Sequence, residues 1–249
     1  MVLRKSPIND SHGDRAGHRI GNRAGNHIRD HIGTCINKRG HAHRLALGAP
    51  VVVCAVLAAS SACAREWHFD VAADGIRIGT HSVIVQGSGD TGLVTTDMSV
   101  GFLGIGAYRQ HVEETWKGGC LARIASRTEE RGHVTTVAGR QEADGFRIDG
   151  DGQGRLQGCV MSFAYWNPDV VKQSHLVNVQ TGAWTPVSVR DLGQQTIDAG
   201  GRSVPAVHYA IETEKNTIEV WYSLQGEWLS LQTTTKTGGH VLAYRLRTR

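Results

Sequence analysis

Arg109, His111 and Glu113 are the residues whose types and spacing could do chemistry in this chain. They alternate within YRQHVEETW, residues 108–116, and alternate side chains of a β-strand lie on one face of the sheet. An imidazole between a guanidinium and a carboxylate could act as an acid–base pair. The same alternation is expected of the solvated face of a sheet, where opposite charges pair across strands. These three residues are therefore catalytic candidates, with a purely structural role as the alternative.

A second candidate site is the aromatic segment CVMSFAYWNPDVV, residues 159–171, which is the densest cluster of bulky side chains in the sequence. Such side chains could fill the core, line a cavity for an apolar ligand, or form an exposed patch for a partner. In the cavity interpretation, Phe163, Tyr165 and Trp166 form the pocket wall. Asn167 is then either a polar anchor for the ligand or the cap of a short helix.

The sequence predicts no metal site, no cofactor and no nucleic-acid partner. The histidines after residue 64 have neither HxH nor HExxH spacing. The loop DGDGQG, residues 149–154, resembles a calcium loop but has Val160 where the bidentate Glu belongs. Residues 1–64 hold nine of the 27 Lys and Arg but three of the 23 Asp and Glu, so the basic charge belongs to that segment rather than to the folded part.

The amino-terminal 64 residues have the organisation of an export signal preceded by an unusual leader. Residues 1–44 form a basic leader without aromatic side chains, for which we predict disorder and which could lie upstream of the true start. Residues 45–64 combine an apolar run with the small-residue cleavage motif Ala62-Cys63-Ala64 and predict a cleavable signal peptide. We therefore expect a periplasmic or secreted protein. An uncleaved signal, acting as a membrane anchor, is the alternative.

Two cysteines remain after the predicted cleavage site, Cys120 and Cys159. An even cysteine count in an exported chain favours a disulfide. The pair is 39 residues apart in sequence, so its closure would stabilise the fold by roughly 4 kcal/mol on the chain-entropy account. A reactive thiol is the alternative, but no neighbouring base is identifiable in the sequence.

Residues 65–249 predict a single all-β domain. Apolar residues alternate with polar ones in many short segments, separated by glycine-containing turns such as Asp74-Gly75 and Gly238-Gly239. Ten or more antiparallel strands in a meander usually curl or close, which predicts a strongly curved sheet or open barrel. The only helix signal is Asn167-Pro168-Asp169, which predicts a short helix near residues 168–173. We expect the aromatic segment to cross one mouth or face of the sheet.

Several stretches resemble a family of uncharacterised exported bacterial proteins, classed as a domain of unknown function. They are REWHFDV, WKGGCL, CVMSFAYWNP and WYS followed by GEWL and YRLR, and MSFAYWNP is the most specific of them. The resemblance covers most of residues 65–247. Its neighbours resemble other periplasmic β-rich proteins with half-open barrels, which are loosely similar to the lipoprotein-carrier and lipid-binding folds of the envelope. The resemblance implies export and a curved sheet, and it implies no activity and no catalytic residue.

These observations favour a periplasmic binding or carrier protein whose concave sheet holds an apolar ligand, such as a lipid or acyl chain. One alternative is an enzyme acting on an envelope glycan or lipid, which requires Arg109, His111 and Glu113 to converge in a cleft beside the aromatic segment. The other is a structural or assembly factor without a small ligand, acting through an exposed sheet edge.

Overall fold

The computed structural model describes residues 64–88, 91–102, 106–149 and 154–247. The predicted leader and signal segment, apart from Ala64, lie outside these ranges. Within them the chain forms one 3-10 helix, Pro168–Lys172, and fifteen strands. The strands are β1 Ala64–Ala73, β2 Ile76–Ser88, β3 Thr91–Phe102, β4 Gly106–Lys117, β5 Cys120–Glu130, β6 His133–Glu142, β7 Gly145–Asp149, β8 Gly154–Leu156, β9 His175–Val177, β10 Trp184–Pro186, β11 Ser188–Ala199, β12 Arg202–Glu212, β13 Asn216–Ser223, β14 Trp228–Thr235 and β15 Val241–Leu246.

Thirteen of these strands form one antiparallel sheet, in the order β11-β12-β13-β14-β15-β1-β2-β3-β4-β5-β6-β7-β8. Each strand pairs with its neighbour in sequence, except that β15 pairs with β1 and so joins the two halves of the chain. Strands β9 and β10 form a separate two-stranded sheet. Hydrogen bonds between the described strands do not join β8 to β11, so the sheet has two edges. At the predicted Asp74-Gly75 turn, φ is 47° and 86°, which only a glycine or a short polar residue adopts readily.

The sheet is strongly curved, because adjacent residues of one segment contact strands that are far apart in its order. Trp166 packs against Trp116 of β4, while the carbonyl oxygen of Tyr165 accepts a hydrogen bond from Tyr222 of β13. Six strand steps separate β4 from β13, which is about 29 Å in a flat sheet. Consecutive Cα atoms are only about 3.8 Å apart, so the sheet must roll around this segment.

The core lies on the concave face and is rich in tryptophan. Trp67, Trp116, Trp166 and Trp228 are each 5% exposed or less. Phe69 packs against Trp228 with ring centroids 4.3 Å apart. Burying aromatic rings of this size supplies much of the hydrophobic stabilisation of a domain. Where these aromatic rings pack, the concave side of the sheet is filled by the protein's own side chains.

The predicted all-β class, curved antiparallel sheet and short helix are confirmed. The helix is a single 3-10 turn that ends at Lys172 rather than at Gln173, which serves as its carboxy-terminal cap. The sheet is not a closed barrel, since no hydrogen-bonded pairing joins its described edge strands, β8 and β11. No helix in the described part of the chain is long and apolar enough to cross a membrane.

Candidate functional site

The aromatic segment lies across the concave face and is fastened there by several bonds. We call residues 159–177 the plug segment. The predicted disulfide is confirmed, since Cys159 is bonded to Cys120 at the start of β5, with Cα atoms 5.1 Å apart. Next to it, the Leu121 N–H donates to the carbonyl of Val160 at 2.8 Å. The plug segment therefore begins as a covalent and hydrogen-bonded extension of the sheet.

Asn167 occupies the helix-cap position that the sequence predicts as one of its two roles. Its side-chain oxygen accepts a hydrogen bond from the Asp169 N–H at 3.0 Å, just before the 3-10 turn that starts at Pro168. The residue is only 8% exposed. Its carboxamide oxygen therefore caps the short helix, whereas a role as a ligand anchor stays a prediction. Replacing an N-cap residue of this type by alanine typically lowers the free energy of unfolding by about 1 kcal/mol.

Trp166 is enclosed by protein rather than facing open space. Its ring meets that of Trp116 edge-on, with centroids 5.2 Å apart and an interplanar angle of 85°. This T-shaped arrangement places the positive ring edge against the negative ring face of the partner. Trp166 thus holds the plug segment on β4.

Phe163 and Tyr165, in contrast, are only partly buried against the core. Their rings lie 6.2 Å apart, and Tyr165 lies 5.8 Å from Trp228. Of the four side chains that the sequence assigns to a pocket wall or anchor, these two are therefore the ones with surface still accessible. They mark a part of the domain where burial is incomplete.

That incompletely buried part is lined by tyrosines from different elements. Tyr108 of β4, Tyr165 of the plug segment and Tyr244 of β15 define what we call the tyrosine-lined region. The Tyr244 hydroxyl lies 4.0 Å from the sulfur of Met98, and the Tyr244 ring meets His81 edge-on at 5.5 Å. All five side chains are partly buried rather than fully enclosed. Apolar ring faces with a few hydroxyl groups are the usual lining of a small-molecule site.

The hydroxyl groups of this region are neutral hydrogen-bonding groups at any physiological pH. Burial raises the pKa of Tyr108 to about 12, and neighbouring Thr128 and Gln110 partly oppose that shift by hydrogen bonding. Burial also raises the pKa values of Tyr165 and Tyr244. On the same strand as Tyr108, Gln110 donates to the hydroxyl of Thr128 on neighbouring β5 at 3.0 Å. The region can therefore hydrogen-bond an uncharged polar group but carries no ionised phenolate.

The buried set of described residues contains no Lys or Arg. Its polar members are Glu114, Ser126, Thr128, Ser162, Asn167 and Ser223. An anionic group entering the concave face would meet no buried cation to offset its desolvation. The electrostatics of the interior thus favour an uncharged guest over a carboxylate or phosphate.

Arg109, His111 and Glu113 lie on the opposite, solvent-facing side of β4. His111 Nδ1 is 2.7 Å from an Asp97 carboxylate oxygen, and its Nε2 is 3.7 Å from Glu113. The hydrogen bond to Asp97 raises the pKa of His111. The three candidates therefore come close together, but the sheet separates them from the plug segment. Arg109 and His111, but not Glu113, border a shallow outer depression of about 300 Å³ that also includes Arg127.

Glu114 is the residue of interest that sequence reasoning did not single out. It is 4% exposed on the concave face, between Val112 and Trp116, and one of its oxygens accepts a hydrogen bond from the Trp116 indole N–H at 3.1 Å. Burial raises the pKa of its carboxyl group, while Ser162 and Trp116 act in the opposite direction. The available signal was its position in the alternation, which places it on the same face as two core residues.

The comparisons with known proteins match this architecture. The profile of a family described as a domain of unknown function, DUF6134, matches residues 69–247. A crystal structure of a beta-barrel-like protein of the domain of unknown function DUF1849, from Brucella abortus, superposes with a TM-score of 0.50. That similarity covers 74% of this chain and 95% of the other at 10% sequence identity, so it concerns the fold alone. A comparison with curated proteins found no match. The likeness to an uncharacterised domain is confirmed, whereas the likeness to lipid-carrier folds stays a prediction.

Proposed function

The chain belongs to the DUF6134 family, and we propose that its β domain is exported and binds an uncharged apolar ligand, such as a lipid or acyl chain, on the concave face of the sheet. The observation that carries the proposal is the tyrosine-lined region. There, side chains of β4, β15 and the plug segment are only partly buried, although they lie inside a rolled sheet. Phe163 and Tyr165 contribute the plug side of this site.

The chemistry of the lining defines the ligand class. Aromatic rings and Met98 supply apolar contact surface, and methionine adapts well to irregular apolar shapes. The tyrosine hydroxyls and the Gln110 amide supply hydrogen bonds for an ester, amide or hydroxyl group. Because no Lys or Arg is buried among the described residues, an acyl chain in neutral, esterified form fits better than a free fatty acid.

Export is supported by two independent features of the chain. Residues 45–64 have the pattern of a cleavable signal. The Cys120–Cys159 bond is of the kind that persists in the periplasm or outside the cell and is rare in the cytosol. An exported protein with a concave apolar site could carry envelope lipids or lipid-linked molecules.

The proposal is tested by equilibrium binding of a pyrene-labelled monoacylglycerol to the purified, disulfide-bonded protein, followed by fluorescence. We expect saturable binding of one probe per chain. Phe163→Ala is expected to weaken it about tenfold, since losing roughly 50 Å² of apolar contact costs about 1.4 kcal/mol. The matching free fatty acid, ionised at pH 8, is expected to bind at least about tenfold more weakly.

Val134→Ala is the matched control, because Val134 is 51% exposed on the outer face of β6. It should leave the affinity unchanged. Absence of saturable binding by the wild-type protein would refute the proposal. Equal losses in Phe163→Ala and Val134→Ala would place any binding outside the concave face and would also contradict it.

A further inference from the structure

Seven buried polar side-chain atoms have no hydrogen-bond partner among the described residues, and four of them belong to the plug segment and to strands β4 and β5. These four are Glu114 Oε1, Ser126 Oγ, Ser162 Oγ and Trp166 Nε1. Their residues are 4%, 6%, 1% and 5% exposed, respectively. Leaving a buried polar group without a hydrogen-bond partner destabilises the folded state, so a group of such atoms requires an explanation.

The residues that carry these four atoms lie on the plug segment and on strands β4 and β5, which pack against each other. The Ser162 hydroxyl is near enough to the Glu114 carboxyl to influence its pKa, although no direct hydrogen bond of adequate geometry joins Ser162 Oγ to a described atom. Trp166 packs edge-on against Trp116, and Trp116 is the residue whose indole N–H binds the other Glu114 oxygen. The Glu114 carboxyl is therefore the centre of the cluster.

Ser126 borders the same site from the neighbouring strand. In the β4–β5 register Val112 faces Ser126 and Glu114 faces Ile124, so Glu114 and Ser126 are diagonal neighbours on the concave face. Diagonal neighbours have Cβ atoms roughly 7–8 Å apart, which is within reach of a long side chain such as that of Glu114. On the plug side, the parallel bridge between Ser162 and Val177 fixes the backbone that carries Ser162.

We propose that Glu114, Ser126, Ser162 and Trp166 enclose an internal water site that joins the plug segment to the sheet. Water matches this donor and acceptor set, because Trp166 can only donate, a carboxyl oxygen can accept, and the two hydroxyls can do either. A buried water typically makes about three hydrogen bonds to such otherwise unpaired groups. The four atoms offer four possible hydrogen-bond partners, one more than a buried water typically uses.

Other small occupants fit this set less well. A metal cation needs several anionic or neutral oxygen ligands, whereas the site has one carboxyl group, two hydroxyls and an indole N–H that cannot coordinate a cation. An anion would lie against the Glu114 carboxyl without a buried Lys or Arg to compensate it. This inference does not depend on the proposed lipid site, which is formed by the tyrosine-lined region and Phe163.

The test is a water–protein NMR measurement on the 15N-labelled, disulfide-bonded full-length chain. We expect a direct cross-relaxation peak between water and the indole N–H of Trp166. The sign of this peak should be the one that is observed when the water stays bound for longer than a nanosecond. Trp166→Phe removes and so assigns that resonance. Trp228 is the internal control, since its buried indole N–H donates to the Ser230 carbonyl at 3.1 Å and should show no such peak.

The second readout is the effect of Ser162→Ala on the contact between water and the Trp166 indole. Ser162→Ala removes one of the hydroxyls without adding bulk, and it should weaken the Trp166 peak and lower Tm by roughly 2–4 °C. A crystal structure should contain a water within hydrogen-bonding distance of Glu114 Oε1. Direct bonding of the Ser162 or Trp166 hydrogen to Glu114 with no water between them, or density for a larger molecule, would overturn the proposal. So would a Trp166 indole peak no stronger than that of Trp228.

Discussion

Replacing His81 with phenylalanine should make the protein markedly less sensitive to acid. His81 lies on the concave face of β2, with its ring 6.2 Å from Phe69, 5.9 Å from Trp228 and 5.5 Å from Tyr244. Its Nδ1 has no hydrogen-bond partner among the described residues. Burial lowers the pKa of His81 to about 4, with Asp97 acting weakly in the opposite direction.

The sign and size of the effect follow from this lowered pKa. In the unfolded chain His81 has its ordinary pKa of about 6.5, so between pH 6.5 and 4 the unfolded state binds the proton and the folded state does not. The contribution of neutral His81 is therefore complete above pH 6.5 and is lost as the pH falls toward 4. A depression of about 2.5 pKa units corresponds to about 3 kcal/mol at most.

Urea unfolding at pH 7.5 and at pH 4.5, followed by tryptophan fluorescence, measures this difference. The wild-type free energy of unfolding should fall between the two pH values by about 2–3 kcal/mol more than that of His81→Phe. His111→Phe is the matched control of opposite sign, because Asp97 raises the pKa of the exposed His111. Removing a group with a raised pKa should increase the loss at acidic pH. An equal acid loss in wild type and His81→Phe would refute the argument.

Four further predictions concern the plug segment and the carboxyl group beneath it. Reducing the disulfide, or replacing both Cys120 and Cys159 by alanine, should lower the free energy of unfolding by about 4 kcal/mol in urea titrations, and an unchanged midpoint would contradict its role as a tether. Trp166→Ala should cost about 3–5 kcal/mol by the same measurement, as expected for deletion of a buried large ring, whereas a loss below 1 kcal/mol would mean that the ring is not packed on the sheet. Tyr222→Phe removes the 2.8 Å hydrogen bond from Tyr222 to the backbone of the plug segment. It should lower the free energy of unfolding by about 1 kcal/mol and speed amide hydrogen exchange in residues 160–167. Unchanged exchange would show that this hydrogen bond does not hold the plug segment in place. Burial raises the pKa of Glu114, so its stabilising contribution is complete below its unfolded pKa and is lost as the pH rises through its folded pKa. Glu114→Gln should therefore reduce the fall in stability that begins as the pH rises above the ordinary pKa of a glutamate; a profile identical to wild type would contradict this assignment.

Much of the fold could be predicted from the sequence because the strands alternate strictly where the sheet has one wet and one buried face. On β4, Arg109, His111 and Glu113 are exposed while Val112 and Glu114 are buried, as the alternation requires. The short helix was predictable for a local reason, since Asn167 and Pro168 carry the cap and first-turn signals. Local chemistry of this kind leaves a direct imprint on sequence.

The edge of the sheet and the filling of its interior could not be predicted in the same way. Strand β11 is exposed on both faces over most of Ser188–Ala199, so it has no apolar alternation to detect. Whether the aromatic segment fills or lines the hollow depends on how far the sheet rolls, which is a long-range property. The structure places Trp166 in the packed part and leaves Tyr165 partly accessible, a distinction that neighbouring positions in sequence do not reveal.

The central claim is that an uncharged lipid occupies the concave face, and photolabelling tests it most directly. The disulfide-bonded protein would be irradiated with a diazirine-bearing monoacylglycerol, digested and mapped by mass spectrometry. The account predicts labels in peptides that contain Met98, Phe163 or Tyr244, suppressed by excess unlabelled monoacylglycerol. Labels confined to exposed apolar residues of the outer surface, such as Ile76 and Val134, or insensitive to competition, would contradict it.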